Sequence, residues 1–350
     1  MHQQEISIAD IARVAGVSHT TVSRALRESP LISADTRERI QKLAQEMGYT
    51  PNAIAQSLQT QRTSTIGLVV TSIDDPFLSD VVKGVEEVAR VSGFSVLLSA
   101  THNDPDQEMA VIETFHRRRV DGILVASSRI TSKYKKRLDF VRVPTVLINS
   151  QAESQDALLH WVTVDDRAGA QLAVEHLQQL GHRAIGYLGV TCRPRSNQQR
   201  LQGYRHAMTT AGLVCQDEWV GIAQGAEASD EEDVAAGQSL LLPLLDAGVT
   251  AVFCYNDMIA IGVLIACSAR GIAVPQELSV IGFDDIRLAS YVTPPLTTIH
   301  QPKIELGHLA TEVMLDLLQK RAVQNHILQP TLVIRASTSN PYAGAIADNP

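Results

Sequence analysis

Apolar positions over the first fifty residues recur at helical spacing in short runs, each broken by a punctuating residue. Ile8, Ile11, Ala12 and Ala15 share one face of a helix that Ser7 can cap, with Asp10 in its first turn. Gly16 permits a sharp turn, and Ser18 then caps a second helix whose Val22, Ala25 and Leu26 point inward. A third stripe, Ile40, Leu43, Ala44 and Met47, follows the cap candidate Ser33 and stops at Gly48. The pattern predicts either a helix-turn-helix unit over residues 1–50 or an ordinary helical hairpin. The outward face of the second helix separates the two. His19, Thr20, Ser23, Arg24 and Arg27 bring donors and cations with no acid among them, which suits a helix lying in a major groove and reading base edges. Ser18 and Thr21, at its start, complete the set of DNA candidates in the head.

The period then changes. Over residues 51–64, Pro51 opens a short helical piece with Asn52, Ala53, Ile54, Ala55 and Leu58, and the polar run from Thr60 follows it. So short a helix has little stability in isolation and orders only on a partner, so this stretch reads as a hinge, with a plain tether as the alternative. From Thr65 onward, near-continuous apolar runs alternate with amphipathic segments. TIGLVVT, FSVLLS, GILVA and TVLI are strands, with helices over Pro76 to Ser92, Asp106 to Arg118 and a basic piece from Lys133 to Arg142. A second series starts near Trp161. It runs WVTV, helix Arg167 to Leu180, AIGYLG, helix Asn197 to Ala211, helix Asp230 to Asp246, AVFCY, helix Asn256 to Arg270 and SVIGF. Fully buried strands alternating with helices predict parallel sheets covered on both faces, here an α/β core of two Rossmann-like lobes behind a small all-α head. The expected lobes are 65–161 with 292–320, and 162–291 with 321–340. Residues 341–350 read as a loose tail.

Composition changes this picture in two places. Net charge is −8, yet up to Arg62 there are seven Lys or Arg against six Asp or Glu, and beyond it 23 against 32, so contact with DNA is expected to be local. Cys192, Cys215, Cys254 and Cys267 form no CxxC pair and read as reduced thiols. With no apolar signal core and no membrane-length run, a cytoplasmic chain without membrane contact is expected.

Ligands of open α/β sheets bind beyond the carboxyl ends of the strands. The candidates there are Asp74, Asp75 and Phe77 in the first lobe. The second lobe offers Arg193, Arg195, Ser196, Arg200, Asn256, Asp257, Asp284 and Asp285. Singly, Asp75 and Asn256 read as helix caps; together, carboxylates and guanidinium groups suit a polyhydroxy compound or a base, and Phe77 can cover an apolar face. His176 and His182 read as capping or surface groups, and Arg117 to Arg119 as a solvated helix end. No GxSxG, GxxxxGK[ST], HExxH or post-strand GxGxxG occurs, so neither an enzyme nor a metal or other cofactor is expected.

With those residues set out, the chain resembles the LacI/GalR family of bacterial transcriptional regulators from about Ser7 to Ser337. The motifs are DIARVAGVSHTTVSRAL, GYTPNAIAQSL, DDPF, VDG, VTVDDRAGAQLAVEHLQQLGHRAIGYLG, NDMIAIG and SVIGFDDIRLASYVTPPLTTIHQP. The resemblance implies a head reading a half-site with His19, Thr20 and Arg24, and a hinge helix with Asn52, Ala55 and Leu58 whose leucine wedges into the minor groove. It further implies a core like type I periplasmic binding proteins, with three crossings between its lobes, homodimeric, with the effector between the lobes and its arginine, Asn or Asp pair and carboxylate falling on Arg200, Asn256, Asp257 and Asp284. With the strand-end candidates Asp75, Phe77, Arg195 and Ser196, these make up the expected effector site. Where relatives often carry an aromatic after a QGD-like turn, this chain has Gln224, Gly225, Ala226 and Glu227, and Pro194 between two arginines is a further departure.

The reading is a ligand-responsive repressor that binds a pseudo-palindromic operator in double-stranded DNA. Its effector would be a sugar, sugar acid or sugar phosphate, ahead of a nucleoside or purine. The absence of a C-terminal leucine heptad favours a dimer. A solute-binding protein without regulatory role is the rival; it explains the lobes and leaves the first sixty residues without a purpose.

Overall fold

The computed structural model describes residues 6–49, 62–127, 141–150, 159–224 and 229–341, and divides into two units, 1–63 and 64–350. Asn52, Ala55 and Leu58, residues 133–140 of the basic piece, the turn at 225–227 and the tail from 342 lie outside the described residues.

The first unit holds three helices, α1 (Ile8–Ala15), α2 (His19–Leu26) and α3 (Ala34–Glu46). A capping box starts α1. Asp10 N–H donates to Ser7 Oγ, and Ser7 N–H donates back to Asp10 Oδ2 at 3.1 Å. Gly16 ends α1 at φ +66°, a left-handed conformation that a side chain would strain, and its N–H returns to Ala12 O. Ser33 precedes α3 as read, but its hydroxyl donates to Thr36 Oγ1 and caps no N–H. Ile11, Ala12, Val22, Ala25, Ile40 and Ala44 close the core, so each helix contributes one stripe and none is stable on its own.

The second unit contains two six-stranded sheets. In chain order the strands are β1 (Thr65–Val70), β2 (Ser95–Ala100), β3 (Gly122–Ala126), β4 (Thr145–Ile148), β5 (Leu159–Val164) and β6 (Ile185–Val190). Then come β7 (Val220–Ala223), β8 (Ala251–Cys254), β9 (Ser279–Asp284), β10 (Thr297–His300), β11 (His326–Leu328) and β12 (Thr331–Val333). The first sheet runs β11-β5-β4-β3-β1-β2 and is parallel throughout; the second runs β12-β10-β9-β8-β6-β7, with β12 antiparallel to β10. Helices α4 (Pro76–Val91), α5 (Pro105–Arg117) and α10 (Lys303–Leu318) cover the first. Helices α6 (Asp166–Gln179), α7 (Pro194–Thr210), α8 (Asp230–Asp246) and α9 (Asp257–Arg270) cover the second. Period-two alternation between two covered faces explains why β1 carries no polar residue from Ile66 to Val70. Ile66, Leu68 and Val70 pack under α4 and α10, while Val69 faces Met109, Ile112 and Phe115 of α5.

The chain passes between the sheets three times, at Asp165, at Gln301–Pro302 and at Gln329–Pro330. These crossings correct the expected lobe boundaries. β5 stays in the first sheet because Leu147 pairs with Trp161 and Ile148 with Val162; β10 belongs to the second, and the unpredicted β11 returns to the first. An apolar β-branched run fits either sheet, so periodicity alone could not assign it. Helix α7 also starts three residues earlier than read, with Pro194 in the first turn, where a missing N–H costs nothing. Among the described residues, no helix is long and apolar enough to cross a membrane, and no group of His, Cys, Asp or Glu could hold a metal ion.

Candidate functional site

In the head, Val22 and Ala25 anchor α2 to the core, which turns the opposite face to solvent. His19, Thr20 and Arg24 are exposed, Thr21 and Ser23 half-buried. Ser18 Oγ accepts from Thr21 N–H at 3.1 Å and lies 2.8 Å from Thr21 Oγ1, so these two hydroxyls are committed to starting the helix. The groups left for a groove are His19, Thr20, Ser23 and Arg24.

In the core, the carboxyl ends of the two sheets face each other. Asp75, after β1, caps α4 by accepting from Phe77 N–H at 2.9 Å, and its other oxygen lies 3.5 Å from Arg193 Nη2, which follows β6. Arg193 Nη1 reaches Asp233 Oδ2 at 2.8 Å, and Asn256 Nδ2 donates to the same oxygen at 2.6 Å. Asn256 Oδ1 meanwhile caps α9, accepting from Ile259 N–H. Burial, with Asp75 and Asp233 nearby, pushes Asp230 up to about 7.

Arg200 is wholly buried at the floor. Its Nε donates to Asp166 Oδ1 at 2.8 Å and its Nη1 to Tyr255 O, while Asp284 Oδ1 stands 3.5 Å away. The guanidinium lies over the Phe283 ring at 3.6 Å and the Tyr255 ring at 4.4 Å, and Tyr255 Oη meets Ser196 Oγ at 2.7 Å. Burial raises Asp166 despite Arg200, and burial with Asp75 pushes Asp284 up to about 6 against the pull of Arg200.

Asp284 and Asp285 leave β9 at φ +108° and +53°, backbone that non-glycine residues rarely adopt. Three groups hold it. Lys303 Nζ, at the start of α10, donates to the carbonyls of Asp284 (2.5 Å) and Asp285 (2.9 Å). Gln301 Nε2 donates to Asp284 Oδ1 at 2.6 Å, and Arg335 Nη2 to Asp285 Oδ1 at 2.6 Å. Burial pushes Asp285 up, but hydrogen bonds from His300 and Arg335 outweigh it and hold the carboxyl at about 2.

The structure thus brings Asp75, Ser196, Arg200, Asn256 and Asp284 together at the strand ends, and it changes the reading of three others. Asp257 is wholly buried, its oxygens taken by Thr298 Oγ1 (2.5 Å) and Ile286 N–H (2.8 Å), so it braces the turn after β9 instead of facing the cleft. Phe77 packs in the first-lobe core under β1, because a ring at that position of α4 faces the sheet. Arg195 is exposed. His176 and His182, read as capping or surface groups, are buried: His182 is held by Thr250, Ser279 and Ser339, His176 by Thr338. Asp166, Tyr255, Asp233, Gln301 and Lys303 escaped the sequence reading. Tyr255, directly after an apolar run, and Asp166, two residues after one, carried a signal.

A helix-turn-helix head on a two-lobed core with a polar cleft defines the class, a ligand-controlled transcriptional regulator. Comparisons agree. The profile of bacterial regulatory proteins of the lacI family matches residues 7–52, and that of the periplasmic binding protein-like domain matches 174–338. The HTH-type transcriptional repressor PurR of Vibrio campbellii is 35% identical over 332 residues, covering 94% of this chain and 97% of that protein. The HTH-type transcriptional regulator GalS of Salmonella typhimurium is 37% identical over 340 residues (95% and 97%). The ribose operon repressor of Haemophilus influenzae is 34% identical (95% and 98%). Among solved structures, the lac repressor dimer bound to operator and the anti-inducer ONPF superposes with a TM-score of 0.84 at 27% identity, covering 96% of this chain and all of that one. A CelR–cellobiose complex does so at 0.71 and 28% identity, covering 95% and all. The chain belongs to the LacI family of bacterial regulatory proteins. It is a DNA-binding, ligand-responsive repressor by family, not an enzyme.

Proposed function

We propose that this chain binds a pseudo-palindromic operator as a homodimer in the cytoplasm, with His19, Thr20, Ser23 and Arg24 of each α2 reading one half-site. Ser18 and Thr21 set the start of the helix, whose N-terminal end approaches phosphate. Asn52, Ala55 and Leu58 supply the hinge contacts in the minor groove. The effector is a sugar or sugar derivative lying between the lobes. Asp75, Ser196, Arg200, Asn256 and Asp284 form its polar frame, with Arg195 at the margin, Asp257 bracing the strand end beneath and Phe77 packed in the core behind. The solved relatives bound to cellobiose and ribose support a sugar at this place.

The observation that carries the reading is the exposed, acid-free face of α2, held in place by the Ser7 box, Gly16 and the Ser18 cap. A chain lacking residues 1–62 should lose DNA binding while its core still binds the sugar that protects the whole chain. Retained operator binding by that fragment would overturn the assignment of DNA reading to α2.

A further inference from the structure

The two arginines inside the cleft, as distinct from the exposed Arg195 at its margin, are committed to the protein's own carboxylates. Arg193 is shared between Asp233 and Asp75, and Arg200 between Asp166 and Asp284, so two guanidinium groups meet four carboxyl groups. Lys303 spends its ammonium on the carbonyls of Asp284 and Asp285. Burial is the main cause of the upward push on Asp230 and Asp284, and the neighbouring carboxylate of Asp75 adds to it in both.

Acceptors, by contrast, are left over. Gln301 is wholly buried and Asn149 follows the last residue of β4; Gln301 Oε1 and Asn149 Oδ1 are the buried side-chain polar atoms that lack a hydrogen-bond partner among the described residues. Asp284 accepts from the amide of Gln301, which fixes Nε2 on that side and leaves the oxygen as the group without a donor. A buried acceptor without a donor is costly, so it marks where a donor arrives. Both atoms stand just past strand ends, Gln301 on the crossing that links the lobes.

Resting on the reading of this cleft as the effector site, we propose that it selects an effector that donates hydrogen bonds and carries no negative charge. That is a polyhydroxy compound, neutral or amino-bearing, whose O–H or N–H groups satisfy Gln301 Oε1 and Asn149 Oδ1. A sugar acid or phosphate would set its anion among Asp75, Asp166 and Asp284, opposite arginines already paired. It would lose its own hydration without recovering a partner. The arginines that make an anionic effector plausible in the sequence are, in the fold, neutralised from within.

The test uses the full chain in thermal-shift and calorimetric titrations at neutral pH. The probes are matched sets: glucose, glucosamine, gluconate and glucose 6-phosphate; galactose, galactosamine, galacturonate and galactose 1-phosphate; ribose and ribose 5-phosphate; cellobiose and cellobionate. A neutral or amino member should raise the melting point, with the acid or phosphate of its set bound at least about tenfold more weakly. An acid or phosphate binding as tightly as its neutral counterpart overturns the inference. Binding by no member overturns the sugar reading itself and the inference with it. Gln301→Met, provided that it melts like the parent without ligand, should weaken the preferred sugar about 3- to 10-fold. Unchanged affinity removes Gln301 from the site. The comparison between charged and neutral probes stands without any variant.

Discussion

Arg193 of the second lobe reaches Asp75 of the first with its Nη2 at 3.5 Å while its Nη1 grips the buried Asp233 at 2.8 Å. One side chain therefore spans the mouth of the cleft, anchored at one end and loosely held at the other. A ligand that enters between the strand ends must share or break the weaker arm, which makes this contact a natural reporter of lobe closure.

The two arms should differ in cost. Arg193→Met strands Asp233 in a buried setting with Asn256 as its remaining donor, and a loss of about 3 kcal/mol is expected. Asp75→Asn leaves a neutral acceptor opposite Arg193 and should cost less than about 1 kcal/mol. Urea denaturation of the two variants checks the difference. Equal losses would mean that Asp233 is not what holds Arg193.

The buried histidines predict acid lability. Residues 336–339 cross the second sheet, with Val280 N–H donating to Ser337 O, and His182 Nε2 donates to Ser339 O at 2.8 Å while His176 meets Thr338 at 3.0 Å. Burial holds both imidazoles below their ordinary value of 6.5 and so neutral. The unfolded chain takes up protons at the ordinary value and the folded chain resists. The stabilisation is therefore complete above about pH 6.5 and is lost as pH falls below it. Melting temperature should drop between neutral and mildly acidic buffer, and His182→Gln should flatten that drop. A variant as acid-sensitive as the parent would place the titrating group elsewhere.

In the first lobe α4 and α10 pack backbone to backbone. A Cβ on Gly84 would lie 2.2 Å from Ile304 O, and one on Gly307 would lie 2.3 Å from Val81 O. Because the obstacle is main chain, it cannot rotate away. Gly84→Ala and Gly307→Ala should each destabilise the lobe by about 3 kcal/mol, read by thermal melting. A melting point equal to the parent's would show that the helices can separate at no cost.

Much of this was legible in the chain. Ser7, Gly16, Ser18, Asp75 and Asn256 all cap or end helices as their positions imply, because capping is a local event set by neighbours in sequence. The long buried strands were legible for the same reason. The edge strands β7 and β11 were not, since four and three residues without a continuous apolar run give periodicity nothing to work on. The lobe that owns β5 or β10 was hidden because pairing is non-local. In the cleft, Arg200 and Asp284 showed through their motifs, whereas Gln301 and Lys303 matter only because the second crossing brings them against the strained end of β9. Phe77 and Asp257 sit at the expected places but face inward, a choice that depends on helix rotation and leaves no mark in sequence spacing.

Arg24 is exposed on α2 with no carboxylate on its face. Arg24→Ala should cost about 1 to 3 kcal/mol on the preferred operator and relax the preference at one base pair. An equal loss on every sequence would reduce Arg24 to a phosphate contact.

Whether α2 reads DNA is decided most directly by selecting genomic fragments with the purified full-length chain and titrating the enriched fragment at several salt concentrations. A pseudo-palindromic fragment should emerge, with half-sites about one helical turn apart. Its affinity should fall steeply with salt, and the sugar that raises the melting point of the core should shift it. Enrichment of no fragment over bulk DNA, with and without that sugar, would contradict a sequence-reading, ligand-controlled repressor.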